Sequence, residues 1–298
     1  MRTFRDQGWL QRHRFSKLAS LVLALVLAMA LTASAISCGP ARDDTGKIGV
    51  VVTLVPVGDF VENVGGDKVD VTVMVPPGAS PHTYEPIPSQ MVAVSEADMY
   101  VKVGSGVEFE LEWMDEVIEA NPDVLVVDSS AGVELMGSDP HIWNSPVNAK
   151  TMVENICDGL TKVDPDNASF YAENRDDYLK DLDILDEYIH YKLDGFTNRN
   201  FMIYHPSFEY FAREYGLTQL AVEHGGKEPT PQVIQDCIDK ARQYDLDYMF
   251  VAPQFATDDC ETIADEIGGQ TAPMDPLAEN YIANMERIAD ALVLEFED

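Results

Sequence analysis

The sequence predicts an α/β protein of two lobes, each with a four-stranded, mostly parallel sheet flanked by helices, joined by one long rigid helix. Short Val-rich runs alternate with segments of helical length and spacing, the pattern of βαβ units. That alternation occurs twice along the chain. Between the two series, residues 166–194 contain no Pro or Gly.

The chain opens with a leader. Residues 1–17 carry Arg2, Arg5, Arg12, Arg14 and Lys17 against the single acid Asp6, and residues 18–36 are uncharged and largely apolar. Ser37, Cys38 and Gly39 follow. A basic start, an apolar middle and small residues before a break describe a secretory signal over residues 1–37. The apolar run is also long enough to span a bilayer as an uncleaved anchor. Either ending places the rest of the chain outside the cytoplasm. A short tether, residues 38–47, then leads to the first lobe, residues 48–163.

In that lobe, strands are expected at residues 49–53, 69–75, 99–103 and 124–127, and helices at 58–64, 89–97, 109–120 and 147–162. Leu111, Met114, Val117 and Ile118 recur at helical spacing in the third of these helices. The linking helix is placed at residues 164–195, with Asp164 as cap, Pro165 in the first turn and Gly195 as terminator. Leu179, Leu182, Leu185, Ile189 and Leu193 form its apolar stripe. The second lobe, residues 196–298, repeats the first with strands at 201–204, 219–222, 248–251 and 270–273. Its helices are expected at 208–215, 231–244, 259–267 and 280–296.

Composition narrows the function. The 298 residues are 46% hydrophobic, which excludes a wholly disordered chain, and carry 52 acidic against 20 basic side chains, a net charge of −32. Such a surface repels a phosphate backbone, so no nucleic-acid partner is expected. Without residues 1–37 the balance is 15 basic to 51 acidic, or −36, so the acidity belongs to the exported part. Cys157, Cys237 and Cys260 match no metal-binding spacing. A Cys237–Cys260 disulfide is conceivable after export, but three small buried residues is the preferred reading. Asn167-Ala168-Ser169 is a formal glycosylation sequon.

Six histidines carry the functional argument. His13 lies in the leader, His190 on the solvated side of the linking helix and His224 in a Gly-rich loop. His82 follows the second strand, His141 the fourth, and His205 ends the first strand of the second lobe. In open parallel sheets ligands bind beyond the carboxyl ends of strands, where all three of these fall. Asp275, after the last strand, occupies the corresponding place and adds a carboxylate. Three imidazoles and one carboxylate suit Zn²⁺ and are acceptable to other first-row divalent ions. Each residue alone has a structural explanation, Asp275 as a helix cap before Pro276 among them. Their joint placement is what points to a metal.

The segments around these residues resemble the solute-binding lipoproteins of zinc and manganese ABC importers. The resemblance is carried by Pro81-His82-Thr83-Tyr84-Glu85-Pro86, Asp139-Pro140-His141-Ile142-Trp143, Asp164-Pro165, His205 with Phe208 to Phe211, Glu228 to Pro231, and Asp275-Pro276-Leu277. It runs in order over residues 48–298. It implies two α/β lobes with the metal in the cleft, His82, His141, His205 and Asp275 as ligands, and an ABC permease with its ATPase as partners. The third imidazole, His205, favours Zn²⁺ over Mn²⁺ or Fe²⁺, although the His-rich loop of many zinc members is missing from residues 83–140. Ala35-Ile36-Ser37-Cys38 is similar to a lipobox, implying lipidation at Cys38 and a monomer anchored to the outer face of the cytoplasmic membrane.

Three other classes compete. A zinc hydrolase would use the three histidines with Glu108, Glu209 or Glu223 as general base, but no HExxH or Ser/His/Asp arrangement is legible. A carrier of organic or chelated ligands would need a cleft rich in Trp and Arg, whereas the exported part has only Trp113 and Trp143. A surface adhesin would not need four convergent ligands.

Overall fold

The computed structural model describes residues 46–223, 227–255 and 258–297. The leader, Cys38, most of the tether and His224 lie outside the described residues. Among the described residues no helix is long and apolar enough to cross a membrane.

The first series runs β1 (Ile48–Leu54), α1 (Val55–Gly65), β2 (Val69–Val75), α2 (Pro88–Glu96), β3 (Met99–Lys102), α3 (Glu108–Ala120), β4 (Leu125–Asp128) and α4 (Pro146–Val163). The linking helix α5 (Ala168–Leu193) follows. The second series is β5 (Asn200–Ile203), α6 (Glu209–Tyr215), β6 (Thr218–Ala221), α7 (Pro231–Tyr244), β7 (Tyr248–Val251), α8 (Asp258–Ile267), β8 (Gln270–Pro273) and α9 (Tyr281–Phe296). Each series forms one four-stranded, all-parallel sheet, ordered β2-β1-β3-β4 and β6-β5-β7-β8. In both, the first strand is central and the chain crosses it between the second and third strands. The carboxyl ends of all eight strands therefore form two rows of loops, as parallel pairing requires.

The structure differs from expectation at two helix starts. Helix α1 begins at Val55, directly after β1, three residues earlier than the spacing suggested. Pro56 in its first turn has no N–H to leave unsatisfied, so a strand can pass into a helix without a loop. The linking helix begins at Ala168, because Pro165–Asn167 forms a tight 3₁₀ turn. There the Asp164 carboxylate accepts from Asn167 Nδ2 and Tyr171 Oη, both at 2.7 Å, rather than capping the helix backbone. The Tyr171 hydroxyl, chiefly, holds the Asp164 carboxyl below the usual range.

The 26 residues of α5 span about 39 Å at 1.5 Å per residue. Tyr171, Tyr178, Leu182, Leu185, Ile189 and Leu193 are buried at steps of three, four and seven, one face of the helix. That face belongs to a single core that also includes Val50, Val52 and Met99 of the first sheet and Phe201, Ile203 and Phe250 of the second. A smaller cluster lies on the other side of the second sheet, where Met202, Tyr204 and Met249 meet Cys237, Ile238, Cys260 and Ile263. Alternation along β5 thus feeds both cores. Cys157, Cys237 and Cys260 are buried, and no disulfide joins the last two.

Candidate metal centre

The His82 loop is a chain of tight turns. Ala79 N–H donates to the Pro76 carbonyl at 3.1 Å, and Tyr84 N–H to Ser80 at 3.0 Å. His141 enters on the loop between β4 and α4, where its own N–H donates to Asp139 Oδ1 at 3.0 Å. His205 directly continues β5, whose pairing extends through Tyr204 N–H to the Phe250 carbonyl at 3.0 Å. Two histidines from one lobe and one from the other are brought together in the cleft.

The three side chains meet by their Nε2 atoms. His205 Nε2 lies 3.2 Å from His82 Nε2 and 3.2 Å from His141 Nε2. Nitrogens bound tetrahedrally to zinc at 2.0–2.1 Å would sit about 3.3 Å apart, so this spacing fits one ion. No other His, Cys, Asp or Glu joins this group among the described residues.

Each imidazole has its Nδ1 against a carboxylate. His82 Nδ1 is 3.1 Å from Glu108 Oε2, His141 Nδ1 is 2.6 Å from Asp139 Oδ1, and His205 Nδ1 pairs with Glu223 Oε2. A proton on Nδ1 shared with a carboxylate leaves the Nε2 lone pair free to ligate. Sequence reasoning had no means of finding these pairs. Glu108 and Glu223 stood out only as general bases for a hydrolase, and Asp139 only as part of a motif. The structure puts all three on the outer side of the imidazoles.

Burial sharpens the electrostatics. His141 and His205 are each 6% exposed. Burial, followed by the neighbouring imidazoles, lowers the His205 pKa despite the opposing pull of Glu223. Neutral His205 is the ligating form, so the fold itself favours readiness to bind. The hydrogen bond from His82 holds the Glu108 carboxyl below its usual range.

The support of this group reaches into both lobes. Buried Glu110 accepts from Val103 N–H at 2.6 Å and Gly104 N–H at 2.9 Å, folding the segment before α3 back on itself. Gly104 takes φ +85°, and a Cβ there would fall 1.9 Å from Asp128 Oδ1, so no other residue fits. Next to it, the Ser105 hydroxyl donates to the Pro140 carbonyl, immediately before His141. Between the lobes, Trp143 Nε1 donates to the Pro276 carbonyl at 2.7 Å and Tyr281 Oη to the Trp143 carbonyl at 2.8 Å. Asn144 Nδ2 donates to the Ser207 carbonyl at 2.7 Å. The His141 loop is therefore fastened to the segments that carry His205 and Asp275.

Asp275 stands outside the group of three. Its Oδ1 accepts from Gln254 Nε2 at 3.0 Å and from Leu277 N–H at 2.9 Å. The second bond closes a local turn over Pro276 and Leu277 and is not the helix cap that the following Pro276 suggested, because α9 starts only at Tyr281 and is capped by Asn280, whose Oδ1 accepts from Ala283 N–H at 3.0 Å. His190 is remote, on the exposed face of α5, 3.8 Å from Asp186.

The three imidazoles open to a cavity of about 620 Å³, also lined by Glu108, Asp139 and Glu209. Fold and site together define a two-lobed α/β binding protein in which three histidines converge from both sides of a cleft.

The chain matches the family described as zinc-uptake complex component A, periplasmic, over residues 50–294, and it belongs to that family. The manganese-binding lipoprotein MntA of Halalkalibacterium halodurans is 32% identical over 259 residues, covering 84% of this chain and 85% of that protein. The high-affinity zinc uptake system protein ZnuA of Bacillus subtilis is 27% identical over 280 residues, covering 86% and 87%. A crystal structure of ZnuA shares the fold with a TM-score of 0.81 at 37% identity, over 84% of this chain and 99% of that one. The family consists of metal-binding, solute-binding components of ABC importers for zinc or manganese, not of enzymes.

Proposed function

We propose that this chain captures Zn²⁺ outside the cytoplasm with His82, His141 and His205 and delivers it to a membrane permease, with Asp275 available as a fourth ligand once released from Gln254. The observation that carries the reading is the convergence of three Nε2 atoms, each opposite an Nδ1 paired with a carboxylate. Three imidazoles suit zinc better than manganese, which prefers oxygen ligands. The manganese-binding name of one relative and the zinc name of another leave both ions, and Fe²⁺, for direct competition.

Delivery follows from the chemistry of the site. Imidazole nitrogens ligate only when deprotonated, so capture is favoured near neutral pH and weakens as the pH falls below about 6.5. The buried bonds from Trp143, Asn144 and Tyr281 oppose wide lobe separation, so release requires the permease to disturb the cleft. The chain acts as a monomer held at the outer face of the cytoplasmic membrane by a lipid on Cys38, in keeping with the lipobox-like segment before it.

Zinc titration of the unaltered chain and of His205→Ala tests the proposal. Binding at one ion per chain that weakens at least a hundredfold in the variant is the expected result. Equal binding by both would overturn the ligand assignment.

A further inference from the structure

The 3₁₀ turn after β7, Pro253–Phe255, touches both parts of the candidate site. The Phe255 ring lies nearly parallel to the His205 imidazole, 18° and 4.4 Å between centroids, and 6.0 Å from His82. One residue earlier, Gln254 Nε2 donates to Asp275 Oδ1 at 3.0 Å. Gln254 Oε1 is buried and has no hydrogen-bond partner. A stranded amide oxygen is unfavourable, yet the opposite orientation of the amide would set that oxygen against a carboxylate. The Asp275 charge thus dictates how Gln254 sits, and Gln254 in turn restrains Asp275.

We infer that Gln254 is a positioning residue that sets metal selectivity by keeping the Asp275 carboxylate away from the three imidazoles. The inference rests on the metal-capture reading above. A cation that uses Asp275 must compete with the Gln254 amide for it, whereas one satisfied by three imidazoles and a small external ligand need not. Mn²⁺, which favours carboxylate oxygen, is penalised more than Zn²⁺, which accepts imidazole readily. Phe255 anchors the turn against His205, so the restraint is applied from within the site.

The test compares Gln254→Ala and the nearly isosteric Gln254→Leu with the unaltered chain, in otherwise native and Asp275→Asn backgrounds. Zn²⁺ and Mn²⁺ affinities are read by competition with a chromophoric chelator, and circular dichroism confirms folding. Losing a hydrogen bond to a charged group should tighten Mn²⁺ binding about tenfold. Zn²⁺ should tighten less, and the gain should vanish with Asp275→Asn. Unchanged or weaker Mn²⁺ binding in both Gln254 variants, or a gain that survives Asp275→Asn, would overturn the inference while leaving metal capture intact. Failure of the unaltered chain to bind zinc would overturn both.

Discussion

Replacing Glu223 by Gln isolates the contribution of a carboxylate that touches an imidazole but not the proposed metal. Glu223 is 4% exposed, and its Oε2 faces Nδ1 of His205, whose side chain is 7% exposed. The amide keeps the shape and one acceptor oxygen but removes the charge. Hydrogen bonds to charged groups contribute about 1.5–3 kcal/mol, and removing the carboxylate partner of a ligating His typically weakens metal binding about 10–100-fold. The two figures agree, since 10–100-fold is about 1.4–2.7 kcal/mol. Protonation does not account for such a loss. Glu223 raises the His205 pKa, so its removal pushes that pKa down and leaves the imidazole neutral at pH 7. Zinc affinity at pH 7.5, by chelator competition, is the assay, with His190→Ala as a control on an exposed imidazole. A loss below threefold in Glu223→Gln would refute the argument that the outer carboxylate orients His205.

Other outcomes follow from the same structure. Trp143→Phe leaves the buried Pro276 carbonyl without its donor, so the urea midpoint should fall by the equivalent of about 1–3 kcal/mol. Asp59, pushed up to about 6 chiefly by burial, holds its proton longer folded than unfolded. Its presence therefore costs stability as the pH rises from about 4 to 6, and Asp59→Asn should gain about 3 kcal/mol over that window and no more above it, measured by urea unfolding at several pH values. Screening of the −32 charge should make the protein more stable in 2 M than in 0.1 M KCl by ~1 kcal/mol or more, about 2–4 °C in thermal melting. A flat or falling melting temperature would show that repulsion among the carboxylates is not a major term.

The architecture was legible because its periodicities are strong. Val50, Val51, Val52 and Met99, Tyr100, Val101 are continuous apolar runs, as strands buried on both faces must be. The linking helix was legible from its uninterrupted length, but its first turn was not, because Asp164 spends its carboxylate on two side chains. His82, His141 and His205 could be singled out because each follows a strand at the same end of a sheet. Their carboxylate partners could not. Glu108 is 26 residues from His82, and Glu223 is 18 from His205, two residues past the neighbouring strand β6, so only the folded register joins them. Asp275 shows the limit of placement alone. Its position after β8 is the expected one, but which of metal, local turn or Gln254 engages its oxygen is decided by side-chain geometry.

The central claim is that three imidazoles hold one metal ion through Nε2. X-ray absorption at the zinc edge of the loaded protein tests it most directly. The account predicts three imidazole nitrogens at about 2.0–2.1 Å, with any remaining neighbour an oxygen, and loss of one imidazole in His82→Ala. Fewer than three imidazoles in the unaltered protein, a sulfur neighbour, or a spectrum unchanged in His82→Ala would contradict it.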